Sequence, residues 1–204
     1  MAQVHRATAS IDATSVPVFD FAESYRERLF AVFGDPAFDW ETGPFGPRSG
    51  ALLRSFRGPI ERGFARYERL AAELNENREG WVITHGEPHT GNMVIRVDDG
   101  RLVMVDWDTA ALAPPERDLW QLIDDDGDPE TDLATYLAEL GSTSGWSPDP
   151  ETLDLFRMSW DLDEVAAYTQ WYSHPHENTE DMRTGWDGLV GSVQNLARRF
   201  PGEE

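Results

Sequence analysis

Between residues 81 and 107 the sequence stops repeating like a helix and starts repeating like a strand. That switch limits the folds open to the chain. Residues 81–84 (WVIT) form a short apolar run entering a polar loop, HGEPHTGN. Residues 93–97 (MVIRV) and 101–107 (RLVMVDW) are β-rich runs joined by DDG, the composition of a tight hairpin turn. On either side the apolar residues fall at helical spacing. Asp20 is placed to cap a helix over residues 21–33, with Tyr25, Leu29 and Phe33 on one face and Gly34 at its end. Residues 34–50 are rich in Gly and Pro and predict a loop. The next helical stretch is predicted to break at Gly58-Pro59 and to run on to about residue 77, with Ile60, Phe64, Tyr67, Leu70, Ala71 and Leu74 on one face. Pro114 and Pro115 precede a helix start. Helices are predicted at about 130–140, 150–172 and 177–200. Helices, a short β insertion and more helices predict a mainly helical α+β lobe.

Composition removes several function classes. At 204 residues, 40% apolar, with eight tryptophans and ten phenylalanines, the chain is long and apolar enough for a packed core. It has no cysteine, which excludes disulfides and thiolate metal sites. No stretch is long and apolar enough to span a bilayer, and the first residues lack the apolar core of a signal peptide, so a cytoplasmic location is expected. The formal net charge of −21 repels nucleic acid and anionic membranes, and neither is expected as a partner. All seventeen basic side chains are arginine.

The polar loop carries the chemistry. His85, Glu87 and Asn92 stand at offsets of zero, two and seven, and Asp106 follows fourteen residues after Asn92, across the hairpin. Protein kinases place a histidine, a carboxylate, an asparagine and a later metal-binding aspartate in this order. The stretch HGEPHTGNM…VDWDTAALAPPERDLW resembles the aminoglycoside phosphotransferase family, kin of choline kinases, most closely over residues 81–124. The resemblance implies a protein-kinase-like fold and an ATP-dependent transfer of the γ-phosphate to a hydroxyl of a small acceptor. Glu87 then falls at the catalytic-base position, where the family usually has aspartate. Asn92 and Asp106 fall at the two Mg²⁺-ligand positions. His85 and Asp118 resemble the residues that steady the catalytic loop. Asp108 is common among such relatives, and His89 is a further candidate that reads more readily as structural.

Other family features are missing from the sequence. The small lobe that covers the nucleotide carries a lysine, and this chain has none; nor does it contain a G-x-G-x-x-G segment. Gly185, Gly188 and Gly191 are spaced three apart, but on a predicted helix. The stretch AQVHRAT near residue 5 resembles the passage from small lobe to large lobe. The chain therefore resembles the C-terminal lobe alone over residues 1–204, with the catalytic and metal-binding core at 81–124, a helical acceptor-side region at 125–204, and the nucleotide-covering lobe absent. Arginine does not substitute for lysine as a compact point charge, so weak or absent activity of the lone chain is expected, with self-association or a separate N-terminal-lobe partner covering the exposed cleft.

The acceptor-side helices offer Asp161, Glu164 and Trp171 among other acids and aromatics, a combination suited to an amine or amino-sugar. Taken one at a time, such residues are more often core or solvated surface. Two other functions stand beside the kinase: a non-catalytic remnant or binding module that keeps the fold, and a metal enzyme using His85, Glu87 and His89. Pro88 excludes a regular helical H-E-x-x-H zinc arrangement for the last.

Overall fold

The computed structural model describes residues 1–21, 24–35, 37–123, 129–141 and 146–201. The element order is α1 (Ala2–Ala7), α2 (Ser24–Phe33), α3 (Gly46–Ser55), α4 (Arg57–Glu76), β1 (Val82–Thr84), β2 (Met93–Ile95), β3 (Leu102–Met104), β4 (Ala111–Ala113), α5 (Glu116–Leu122), α6 (Pro129–Leu140), α7 (Pro150–Tyr172) and α8 (Glu180–Arg199). It is mostly helical with two small antiparallel sheets, as the α+β pattern predicts. The chain divides into two compact units, residues 1–20 with 73–156, and residues 21–72 with 157–204.

The first unit contains the β structure. β2 and β3 pair antiparallel with Met93 opposite Met104 and Ile95 opposite Leu102. Gly100, at φ +68°, lets the turn close, and its N–H donates to the Arg96 carbonyl at 3.0 Å. β1 does not join this hairpin. It pairs with β4, Thr84 opposite Ala111, and residues 17–19 run along the other edge of β4 through Leu112. The helical part of the unit packs Ala2, Leu119, Ile123 and Tyr136 together, with Leu133, Leu137, Trp146 and Leu153 against them. These side chains join α1, α5 and α6 with the first turn of α7.

Among the described residues the regular structure of the second unit is helical. Leu29, Leu53, Ile60, Phe64, Leu162, Val165, Leu189, Val193 and Leu196 are buried in it. Gly63 admits Leu196 and Leu162 against α4, where an added Cβ would meet them at 3.2 and 3.4 Å. Gly185 and Gly188 have the same use: the Tyr168 ring lies where their Cβ atoms would be, while Gly191 faces open space. Gly63, Gly185 and Gly188 serve helix packing, and all four glycines lie within helices and form no phosphate loop.

Three boundaries differ from the sequence expectation. The predicted cap and start at Asp20 and Phe21 give way to a helix beginning at Ser24; residues 22 and 23 and the Tyr25 side chain lie outside the described residues. The Gly/Pro segment ends earlier than predicted, because α3 starts at Gly46, where proline in the first turn has no helix hydrogen bond to lose. The break between helices falls at Phe56, and Gly58-Pro59 lies in the first turn of α4, where proline is tolerated for the same reason.

Candidate active site

The loop after β1 is held by one buried carboxylate. Asp118, on α5 and fully buried, accepts hydrogen bonds from the backbone N–H groups of His85 at 3.0 Å and Gly86 at 2.7 Å. His5, from α1, donates Nε2–H to the same carboxylate at 2.8 Å. Its Nδ1 lies 2.8 Å from the Tyr136 hydroxyl. Burial first, then the nearby Glu116 and Asp118 charges, raises the Tyr136 phenol above its ordinary value, so it stays protonated and can donate to His5. α1 and α5 thus meet at the turn at residues 85–86, and Tyr136 of α6 backs His5.

Arg117 secures the other side. Its guanidinium donates to Thr84 Oγ1 at 2.8 Å and to the Thr109 carbonyl at 3.0 Å. Thr109 Oγ1 in turn donates to the His85 carbonyl at 2.7 Å. Gly86 has φ +98°, and a Cβ there would lie 2.3 Å from an Arg117 nitrogen. The glycine of HGE is therefore required twice, by conformation and by space.

His85 is fully buried, and both ring nitrogens are engaged. Nδ1 accepts the Glu87 N–H at 3.2 Å and Nε2 donates to the Val105 carbonyl at 2.9 Å. It ties the loop to the residue before Asp106, and the Trp107 ring covers it at 4.6 Å between centroids. No nitrogen lone pair is left for a metal. Among the described residues no three His, Asp or Glu side chains converge on a cation site. The histidine-based metal enzyme finds no support in this arrangement.

An oxygen pair has a different standing. Asn92 is buried, and its Nδ2 donates to the Glu87 carbonyl at 2.9 Å, which fixes which way the amide points. Its Oδ1 takes no hydrogen bond among the described residues. The backbone carbonyl of Asn92 accepts from Val105 N–H at 3.0 Å, so the hairpin register sets Asn92 opposite the neighbour of Asp106. Asp106 is the one non-glycine position with positive φ among the described residues, at +66°. That conformation is uncommon for an L-residue, although aspartate and asparagine adopt it more readily than the others. Its exposed carboxylate makes no hydrogen bond or ion pair among the described residues. Residues held in sparsely populated backbone regions gather at functional sites. One amide oxygen and one carboxylate make a hard oxygen donor set suited to Mg²⁺, which commonly takes one or two protein ligands and completes its shell with phosphates and water.

The Glu87 carboxylate, half-buried, and the Asp108 carboxylate, exposed, also have no partner among the described residues. His89 is exposed and caps a single turn by accepting the Gly91 N–H at its Nδ1. The three acceptor-side candidates belong to the second unit. Asp161 is buried and accepts from Asn195 Nδ2 at 2.8 Å, which joins α7 to α8. Burial raises its carboxyl to about 6. Glu164 hydrogen-bonds Tyr168. Trp171 is exposed and packs edge-on against Tyr168 at 5.3 Å.

Residues 1–175 match the model of the phosphotransferase enzyme family. The chain belongs to that family. Protein StrN of Streptomyces griseus is 31% identical over 184 residues, covering 86% of this chain and 50% of that protein. Spectinomycin phosphotransferase APH(9)-Ia, in complex with ADP and spectinomycin, superposes with a TM-score of 0.72 at 18% identity, over 96% of this chain and 61% of that one. The AMP-bound complex of the same enzyme gives 0.71 at 16% identity, over 98% and 64%. This phosphotransferase-family chain therefore spans half the length of StrN and less than two thirds of the solved enzyme, whose fold it shares.

Four supporting residues of the site were missed in the sequence: Gly86, Arg117, Thr109 and His5. Gly86 had a signal, since a glycine between two site residues at a turn suggests positive φ. Arg117 stands beside a recognised brace in ERDLW. Nothing local marks His5, which lies 113 residues from the aspartate it contacts.

Proposed function

We propose that this chain carries the catalytic half of an ATP-dependent O-phosphotransferase acting on a hydroxyl of a small acceptor. The observation that carries the reading is Asp106, left-handed and without a partner among the described residues, set beside Asn92 whose amide oxygen is equally without one. Asn92 and Asp106 would hold Mg²⁺, which supplies charge neutralisation at the nucleotide phosphates. Glu87 accepts the proton of the acceptor hydroxyl. Its extra methylene relative to aspartate changes reach, not basicity. His85 and Asp118 hold the loop that presents it, and positioning is most of what phosphoryl transfer asks of a protein. The family match and the ADP- and AMP-bound fold relatives support a nucleotide donor. The acceptor class, a hydroxyl of an amine or amino-sugar, follows the spectinomycin bound by a distant fold relative and the −21 charge, which attracts cations.

With no lysine anywhere in the sequence, the phosphates lack the cationic partner usual in such enzymes, and the chain alone is a weak kinase. Titration with Mg·ATP, followed by a coupled ADP-release assay over a panel of amino-alcohol acceptors, tests both parts. Mg²⁺-dependent binding with slow turnover is expected. Acceptor binding without nucleotide binding would favour the non-catalytic module, and rapid turnover would refute the weak-kinase part.

A further inference from the structure

The hairpin between Asn92 and Asp106 leaves one strand edge open. Its register sets Val94 opposite Val103, and beyond the strands Arg96 N–H donates to the Arg101 carbonyl at 2.9 Å. Hydrogen-bonded and non-bonded pairs alternate along an antiparallel ladder, so Val94 and Arg96 bond inward. The peptide groups between them then turn the Met93 carbonyl, both groups of Ile95 and the Val97 N–H outward, because a planar peptide sends its C=O and N–H to opposite sides. None of these has a partner among the described residues, whereas the Met93 N–H is used on the Thr90 carbonyl. Other edges carry cover. Thr8 Oγ1 accepts the Ile83 N–H of β1 at 2.8 Å, residues 17–19 pair with β4, and the Trp107 indole donates to the Met104 carbonyl of β3 at 3.0 Å. Ile95 and Leu102, opposite each other on one face, are 68% and 62% exposed, and Val97 is fully exposed. An open edge beside exposed apolar side chains is a template for another strand.

We infer that β2 pairs antiparallel with β2 of a second copy of this chain, about a two-fold axis at Ile95. The open groups are their own complement. With Ile95 opposite the second copy's Ile95, each donates its N–H to the other's carbonyl. Met93, whose N–H is spent, asks only for a donor, and the second copy's Val97, where the strand ends in a turn, offers one. Every open group of both edges is then used, in a closed two-fold contact. Residues opposite each other in an antiparallel pair share a face, so Leu102, Ile95 and their two counterparts form one apolar row across a four-stranded sheet. Water satisfies the backbone groups equally well, but it leaves that row wet. Charge also selects this occupant. Two chains of −21 repel, yet residues 93–105 are neutral: Arg96 pairs with Asp98 and Asp99, and Arg101 with Asp99. A cationic partner is drawn to the acidic remainder of the surface, whereas two neutral hairpins meet where repulsion is least. β2 spans only Met93–Ile95, and so short an edge keeps the pairing weak.

Sedimentation of the whole chain from about 1 µM to about 1 mM is expected to show a monomer–dimer equilibrium. Ile95→Glu sets two carboxylates opposite each other across the axis, and Ile95→Lys two ammonium groups. Each variant alone should weaken the dimer by at least about tenfold. Mixing them separates this register from general stickiness. I95E meets I95K only if the axis passes through residue 95, so the mixture should regain the dimer that neither variant forms alone. Because the side chain is exposed, both variants should keep the thermal stability of the wild type, which shows that the fold is intact. A wild-type chain that stays monomeric over the whole range overturns the inference and leaves the edge to a different strand. A dimer that persists in I95E, or a mixture that stays monomeric, overturns the two-fold pairing at Ile95. The readout is mass, so it is independent of nucleotide and of the phosphotransferase reading.

Discussion

Replacing Asp118 by alanine removes the acceptor for three N–H donors at once: those of His85, Gly86 and the His5 ring. All three lie where water does not reach the lost carboxylate. A hydrogen bond to a charged group contributes about 1.5–3 kcal/mol, and a buried donor left without its acceptor costs about 1–3 kcal/mol. The network behaves as a unit, so one such figure at its upper end applies, not a sum: about 3 kcal/mol, against a total stability of about 5–15 kcal/mol. Asp118→Asn is milder. Its oxygen can serve His85 and His5 while its NH₂ opposes the Gly86 N–H, a loss of about 2 kcal/mol. Urea unfolding measures the stability, and amide hydrogen exchange at Gly86 reads the local effect. Asp108→Asn, on an exposed carboxylate without partners among the described residues, is the control and should change stability by less than about 0.5 kcal/mol. A loss below about 1 kcal/mol in D118A, or unchanged Gly86 exchange, would refute the bracing role.

Two further predictions follow from backbone and burial. Gly86→Ala meets both a disfavoured φ of +98° and the Arg117 guanidinium at 2.3 Å, and should lose about 2–3 kcal/mol by urea unfolding; a neutral outcome would mean that Arg117 is free to move away. At Asp161, burial raises the folded-state value to about 6, so folding disfavours the ionised form. The native protein then loses stability as pH rises from about 4 to about 6, and Asp161→Asn, which retains an oxygen for Asn195, escapes that loss. The variant should match the wild type near pH 4 and exceed it by about 1–2 kcal/mol above pH 7, after allowance for solvent screening; equal pH profiles would show that the group is well solvated.

What the sequence disclosed follows the strength of its local signals. The hairpin at 93–104 was legible because β-rich runs flank DDG, and α7 because its apolar residues keep helical spacing across the whole element. β4 was not, since Ala111-Leu112-Ala113 has neither alternation nor high β propensity; it is a strand because β1 and residues 17–19 pair with it. α3 was hidden by its Gly and Pro content. Gly50 in it is a packing residue, with the Trp40 ring 2.6 Å from where a Cβ would be. The candidate residues His85, Glu87, Asn92 and Asp106 were marked by spacing, and Asp118 by the family resemblance. The unpartnered state of Asn92 Oδ1, the left-handed Asp106 and the link from His5 are properties of the folded chain, and no spacing shows them.

The most direct test concerns Asp106. Asparagine tolerates its left-handed backbone, so Asp106→Asn keeps the fold and removes only the charge offered to the cation. Calorimetric titration with ADP, with and without Mg²⁺, should show Mg²⁺-dependent binding by the wild-type chain, lost by at least about tenfold in D106N at unchanged thermal stability. ADP binding that ignores Mg²⁺, or that survives intact in D106N, would contradict the assignment of Asn92 and Asp106 as the cation site.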